Sequence, residues 1–156
     1  MFLACNTSHV FLDEVRALAP EAAGYIVDMI ALLARDAAAK GVGRAFLLAS
    51  EGTIAAGIYQ DRFGAEGLEV VPAGDEMQAR LRDFIETVKQ TRVDDAAKAE
   101  FAAFVRGLGE PNVILGCTEL PLLVDGPVEG VELLDPMQAA IDYVVQVRAD
   151  AKRPMR

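Results

Sequence analysis

The sequence predicts an α/β protein with a parallel four-stranded sheet flanked by helices, and three observations carry that prediction. Short apolar runs alternate with amphipathic stretches of helical length along most of the chain. The runs, Ala45-Phe46-Leu47-Leu48-Ala49 and Val113-Ile114-Leu115 among them, are apolar throughout, as strands buried on both faces must be. Polar residues that suit helix starts, such as Ser50 and Asp135, then follow the runs.

Taken in order, the run Phe2-Leu3-Ala4 reads as a strand ending at Cys5, and Val10 to Leu18 as a short helix. Pro20 opens a longer helix with Ala22, Ile26, Met29, Ile30, Leu33 and Ala37 on one face, closed by Gly41. After the strand at Ala45–Ala49, Ser50-Glu51-Gly52-Thr53 is a polar turn into a helix that turns Ile54, Ile58 and Phe63 inward. Leu68 to Val71 is the next strand. Asp75 and Gln78 form a capping-box pattern ahead of a helix with Met77, Leu81, Phe84, Ile85 and Val88 in period. A further helix carries Ala97, Phe101, Phe104, Val105 and Leu108 on one face. Strands at Val113–Gly116 and Val131–Leu134 follow, and Asp135, Pro136 and Gln138 open a last helix bearing Met137, Ile141, Val144 and Val145, with a frayed tail from Lys152. The strands beginning near residues 45, 68, 113 and 131 make one continuous array, to which the strand ending at Cys5 is an outsider.

With 156 residues, 53% of them hydrophobic, the chain can bury a sizeable core. Its net charge of −9 and lack of Trp argue against a nucleic-acid surface or a polybasic membrane anchor, so no nucleic-acid or membrane partner is expected. The start lacks a basic segment and its apolar run stops at Cys5, and no run approaches membrane-spanning length, so a cytoplasmic location is expected. In a reducing compartment the two cysteines are thiols rather than a disulfide.

Those two cysteines are the most informative feature. Phe2-Leu3-Ala4-Cys5-Asn6-Thr7 and Val113-Ile114-Leu115-Gly116-Cys117-Thr118 have the same form: an apolar run, a thiol, then a polar residue able to cap a helix. Both sulfurs are therefore expected at carboxyl ends of strands, the edge where parallel sheets bind ligands. A thiol titrates close enough to neutrality that one can serve as base while its partner remains an acid, which suits inversion of a carbon bearing an acidic hydrogen. Asn6, Thr7 and Thr118 are placed to hold a substrate carboxylate. The ordinary alternative for each cysteine is a small buried hydrophobe, and for each threonine a helix cap. His9, the single histidine, reads as an early-helix residue rather than a proton relay.

Cys5-Asn6-Thr7-Ser8-His9, Ser50-Glu51-Gly52-Thr53-Ile54, Gly57-Ile58-Tyr59-Gln60 and Gly116-Cys117-Thr118-Glu119-Leu120-Pro121-Leu122-Leu123 together resemble the cofactor-independent aspartate/glutamate racemases. The resemblance implies two similar α/β lobes enclosing a small amino-acid substrate between one cysteine from each, with no cofactor, whether pyridoxal phosphate or metal. It implies Cys5 and Cys117 as the catalytic pair and Asn6, Thr7 and Thr118 as carboxylate binders. Glu51 and Thr53 are expected to line the cleft or to serve only the turn and its cap, Glu119 to partner Cys117 at the substrate site or to be an acid in a helix's first turn, and Arg92 to reach a side-chain carboxylate. Glu119 follows Cys117 where glutamate racemases carry His, which favours the aspartate racemase branch. Family members have several strands before the first cysteine and this sequence has four residues there. On that basis 1–20 is expected to be a remnant of a first lobe, 21–135 the second lobe, and 136–156 a C-terminal helix and tail returning toward the first. Association with a second copy as a homodimer is the matching expectation. The rival readings are a related hydantoin racemase, maleate isomerase or arylmalonate decarboxylase, and a catalytically incomplete lobe acting as a binding module.

Overall fold

A computed structural model of the chain describes residues 1 and 3–151. A 3-10 turn at Thr7–Phe11 leads into helix α1 (Leu12–Leu18), followed by the short α2 (Pro20–Ala23) and by α3 (Met29–Ala39). Strand β1 (Arg44–Leu48) then enters α4 (Glu51–Ala55) and α5 (Ile58–Ala65), and β2 (Glu69–Pro72) enters α6 (Asp75–Lys89) and α7 (Asp95–Gly107). Strand β3 (Asn112–Leu115), a 3-10 turn at Leu120–Leu123, β4 (Glu132–Leu134) and α8 (Pro136–Ala151) complete the order.

The four strands form one sheet in the order β2-β1-β3-β4, every pairing parallel. Because successive side chains of a strand point to opposite faces, each apolar run feeds two cores. Ala45, Leu47 and Ala49 face a core built with α3, α5 and α8, through Met29, Leu33, Phe63 and Ala140. Phe46 and Leu48 face a second core with α6 and α7, where Phe84 meets Phe101 edge-on at 5.1 Å between ring centres. This two-faced burial is why the strands read as unbroken apolar runs.

Four expectations are corrected. Among the described residues, Leu3, Ala4 and Cys5 belong to no strand; Phe2 lies outside the described residues, as does the expected frayed tail from Lys152. The run is short, and the backbone turns at Asn6, whose carbonyl accepts from the His9 N–H at 3.0 Å. The helix opened by Pro20 is interrupted at 24–28, where Gly24 and the β-branched Ile26 and Val27 break it and Asp28 caps a new helix through the Ala31 N–H at 3.0 Å. The helix after Ser50 is likewise split, by Gly57 at φ 68°, a left-handed conformation that glycine adopts without steric cost. Asp75 and Gln78 form no capping box. Gly74 occupies the cap position, and the Gln78 amide donates to the carbonyls of Ala49 and Ala73, at 3.3 and 3.4 Å, as a buried brace beneath the carboxyl end of β1.

Candidate active site

The strand order reverses between β1 and β3: the chain leaves β1 toward β2 on one side and returns to β3 on the other. The carboxyl ends of those two strands therefore diverge into loops with helices on opposite faces, the usual crevice of an open α/β sheet. Leu48 pairs with Leu115, and the Gly116 N–H donates to the Leu48 carbonyl at 2.7 Å, so Ser50 and Cys117 leave the sheet side by side. Only glycine fits at 116. A Cβ there would lie 2.7 Å from Leu47 Cδ1, 2.9 Å from Ala49 Cβ and 3.1 Å from the Leu48 carbonyl oxygen.

At the β1 end, Ser50 caps α4. Its Oγ receives the Thr53 N–H at 3.4 Å and shares a hydrogen bond with Thr53 Oγ1 at 3.0 Å. Thr53, buried, continues the hydroxyl chain to Thr7 Oγ1 at 2.7 Å. Tyr59 of α5 is fully buried and donates its phenol to Asn6 Oδ1 at 2.7 Å. Burial first, then the neighbouring acidic groups Asp135, Cys117 and Asp28, pushes that phenol well above its ordinary range, so it stays a neutral donor. Two side-chain bonds thus bring the Cys5-Asn6-Thr7 segment to the edge where Cys117 emerges. The Cys5 thiol is exposed, and its carbonyl lies 2.9 Å from Nδ1 of the buried His9.

Cys117 is half-buried, and its Sγ donates to Glu119 Oε2 at 2.9 Å. Thr118 Oγ1 donates to the same oxygen at 3.1 Å. Burial, and then the hydrogen bond and charge of Glu119, pushes the Cys117 thiol up to about 12, with the Glu119 backbone N–H and then Lys89 at the end of α6 opposing. Burial acts against the Glu119 carboxylate, but the Cys117 and Thr118 donors and Lys89 outweigh it and hold the carboxyl below its usual value. Asp135, at the end of β4, is pushed up by burial while the Met137 N–H at 2.8 Å works against the shift.

Of the residues singled out in the sequence, Asn6, Thr7 and Thr53 are joined to one network, and Cys117, Thr118 and Glu119 to a second at the neighbouring strand end. Arg92 is exposed beyond α6, and among the described residues its guanidinium forms no ion pair. Neither Asn6 nor Thr118 acts as a side-chain cap: the Asn6 oxygen is taken by Tyr59 and the Thr118 hydroxyl by Glu119. Tyr59, Ser50 and Lys89 were not expected to take part. Ser50 and Tyr59 stand inside the quoted motifs, whereas Lys89 reads in sequence as an ordinary basic residue in a helix's last turn.

The fold that carries this strand reversal is shared by known proteins. A family model described as Asp/Glu/hydantoin racemase matches residues 1–144. The chain belongs to that family. Solved structures of racemases share its fold: an aspartate racemase from Picrophilus torridus has 20% identity and a TM-score of 0.71 over 99% of this chain and 63% of its own. An aspartate racemase homologue from Pyrococcus horikoshii has 25% identity and a TM-score of 0.73, over 95% of this chain and 66% of its own. A glutamate racemase from Francisella tularensis, solved in complex with D-glutamate, has 20% identity and a TM-score of 0.65 over 97% and 57%. This racemase-family chain thus spans somewhat under two thirds of the length of these relatives. Among its described residues no helix is long and apolar enough to cross a membrane, and no group of three or more His, Cys, Asp or Glu could hold a metal ion.

Proposed function

We propose that the chain is an amino-acid racemase of the aspartate/glutamate type that inverts Cα with two thiols. The observation that carries this reading is the convergence of both cysteine motifs on the strand reversal, through the Thr7–Thr53 and Tyr59–Asn6 bonds on one side and the Gly116–Leu48 bond on the other. The Cys5 thiolate takes the α-proton from one face of the substrate. The Cys117 thiol gives its proton to the opposite face, leaving Cys5 as thiol and Cys117 as thiolate, and the reverse reaction exchanges the roles. No outside redox partner or cofactor enters this proton balance.

The substrate carboxylate is held by donors that the network leaves available. With the Asn6 oxygen engaged by Tyr59, the amide group is oriented so that its N–H donors remain for an anion. Thr7, at the end of the hydroxyl chain, supplies an O–H; Thr118 and Thr53 join it by exchanging their present partners for the substrate, and Arg92 is assigned the side-chain carboxylate of a dicarboxylic substrate. The test is α-proton exchange of L- and D-aspartate and glutamate in deuterated buffer, read by proton NMR. Exchange that is lost in Cys5→Ser and in Cys117→Ser supports the reading. Undiminished exchange in both variants overturns it, as does activity on maleate with none on aspartate.

A second reading concerns assembly. Ile141, Tyr143, Val144, Val145 and Val147 of α8 are each more than two-fifths exposed, an apolar surface of the kind that interfaces cover. Pairing of two copies through this face, as a homodimer, is favoured by that exposure. Sedimentation of the purified chain tests it, and a monomer that does not bind hydrophobic dye argues against it.

A further inference from the structure

The two-thiol reading asks only that Cys117 exchange a proton, and leaves unexplained why a carboxylate is fastened to it. Glu119 Oε2 lies 2.9 Å from Cys117 Sγ and 3.1 Å from Thr118 Oγ1. An ionised carboxylate only accepts, so the hydrogen on the sulfur–oxygen line belongs to sulfur and the one on the threonine line belongs to Thr118. Loss of the sulfur's proton would leave two anions at hydrogen-bonding distance in a half-buried setting, where repulsion is poorly screened.

The groups around this pair come from several elements. The Glu119 backbone N–H and then Lys89 at the end of α6 favour the charged form of Cys117, Lys89 also favours that of Glu119, and among the described residues Lys89 is the one cation that bears on Cys117. Tyr59 of α5 senses the Cys117 charge but remains a neutral phenol, and Asp135 at the end of β4 presses on Tyr59 in the same sense. Glu119 alone makes direct contact with the sulfur among these groups.

We propose that Glu119 is a positioning residue that fixes Cys117 as the thiol in the resting protein. In its catalytic consequence this rests on the racemase reading: Cys117 enters turnover as proton donor and Cys5 as proton acceptor, so the two directions of inversion start unequally. After Cys5 has taken the Cα proton and Cys117 has given its own, Cys117 is a thiolate beside Glu119. It must regain a proton, from solvent or by the reverse reaction, before the resting state returns. The substrate enantiomer whose Cα–H points to Cys5 is therefore the one the resting site accepts directly.

The closing experiment reads the sulfur itself. In a Cys5→Ser background only Cys117 reports, and the rate of its alkylation by iodoacetamide is followed against pH with Glu119 intact and in Glu119→Gln. With Glu119 intact the thiol stays slow through mildly alkaline pH. In Glu119→Gln the midpoint falls by one pH unit or more, which makes alkylation at mildly alkaline pH faster by about tenfold or more. An unchanged midpoint in Glu119→Gln overturns the proposal, as does a Cys117 already reactive near neutrality with Glu119 intact. Should Glu119→Gln fail to give a folded circular dichroism spectrum, thiolate ultraviolet absorbance of the folded Cys5→Ser protein against pH decides instead: absorbance appearing near neutrality overturns the proposal, and absorbance only at strongly alkaline pH supports it. Alkylation depends on no turnover, so the two readings fail separately. The expected profile together with no α-proton exchange by the native chain would sink the racemase reading and leave the role of Glu119 in holding the thiol intact, while exchange by the native chain with an unshifted midpoint would do the reverse.

Discussion

Cys5 lies exposed in an irregular segment whose position depends on side-chain bonds to partners 46 and 53 residues away, whereas Cys117 is half-buried one residue past Gly116 at a strand end and is bonded to a carboxylate two residues on. Their flanking sequences are alike and their surroundings opposite. Cys117 inherits its place from the backbone ladder of β3, so its geometry is as rigid as the sheet. Cys5 inherits its place from Thr7, Asn6 and their partners on α4 and α5. Local sequence therefore encodes the chemical type of each site, and chain connectivity decides how firmly it is held.

Removal of either sulfur tests whether both sides of this contrast matter. Cys5→Ser and Cys117→Ser should each lower α-proton exchange by roughly 10²-fold or more, the scale on which a positioned acid or base contributes. An asymmetric result, with one variant nearly unaffected, would break the pairing. On the rigid side, Gly116→Ala forces a Cβ to within 2.7 Å of Leu47 Cδ1 and 3.1 Å of the Leu48 carbonyl. It should destabilise the chain by about 1–3 kcal/mol in urea unfolding, as overpacking does. On the tethered side, Tyr59→Phe leaves the buried Asn6 oxygen without its donor and should cost about 1–2 kcal/mol, with a larger loss in exchange rate than in stability if Asn6 binds substrate. The last effect is confined to alkaline pH. Folding raises the Cys117 thiol from its ordinary 9.0 to about 12, so the folded chain binds that proton more tightly than the unfolded chain. Its contribution is complete below about pH 9 and fades as pH climbs toward 12. Chemical denaturation across that range should show a steeper loss for the native chain than for Cys117→Ser.

The sheet was legible because β1 and β3 are apolar and buried on both faces after their first residues, Arg44 and Asn112, so nothing blurs the run, and the strand end before Cys117 was legible for the same reason. The strand at Cys5 was misread because an apolar triplet has the same composition whether or not a neighbouring strand exists to pair with it. The interruption before α3 is masked in the sequence because Ile26 fits the apolar period of a longer helix, while the stronger instruction comes from Asp28, whose cap becomes evident only with its partners in place. Thr53 and Thr7 were recognisable as polar residues in turns; that their hydroxyls hydrogen-bond to each other is a long-range fact no local spacing contains. Tyr59 illustrates the same limit, since an aromatic in an amphipathic helix reads as core until its hydroxyl is seen to reach Asn6.

Asp28 ties the amino-terminal arm, residues 7–18, to the helices that follow it. One carboxyl group caps the first turn of α3 through Oδ1, receives Arg62 from α5 at 2.9 Å through Oδ2, and through Arg62 is linked to Asp13 on α1 at 3.2 Å. Peeling α1 away would strip a partner from a guanidinium that itself steadies the cap of the next helix, so release of the amino-terminal arm and fraying of α3 are expected to occur as one event. A protease probing the arm would then report on the cooperativity of the whole α1–α3–α5 corner, and salt, by weakening the clasp, would open both ends of it together.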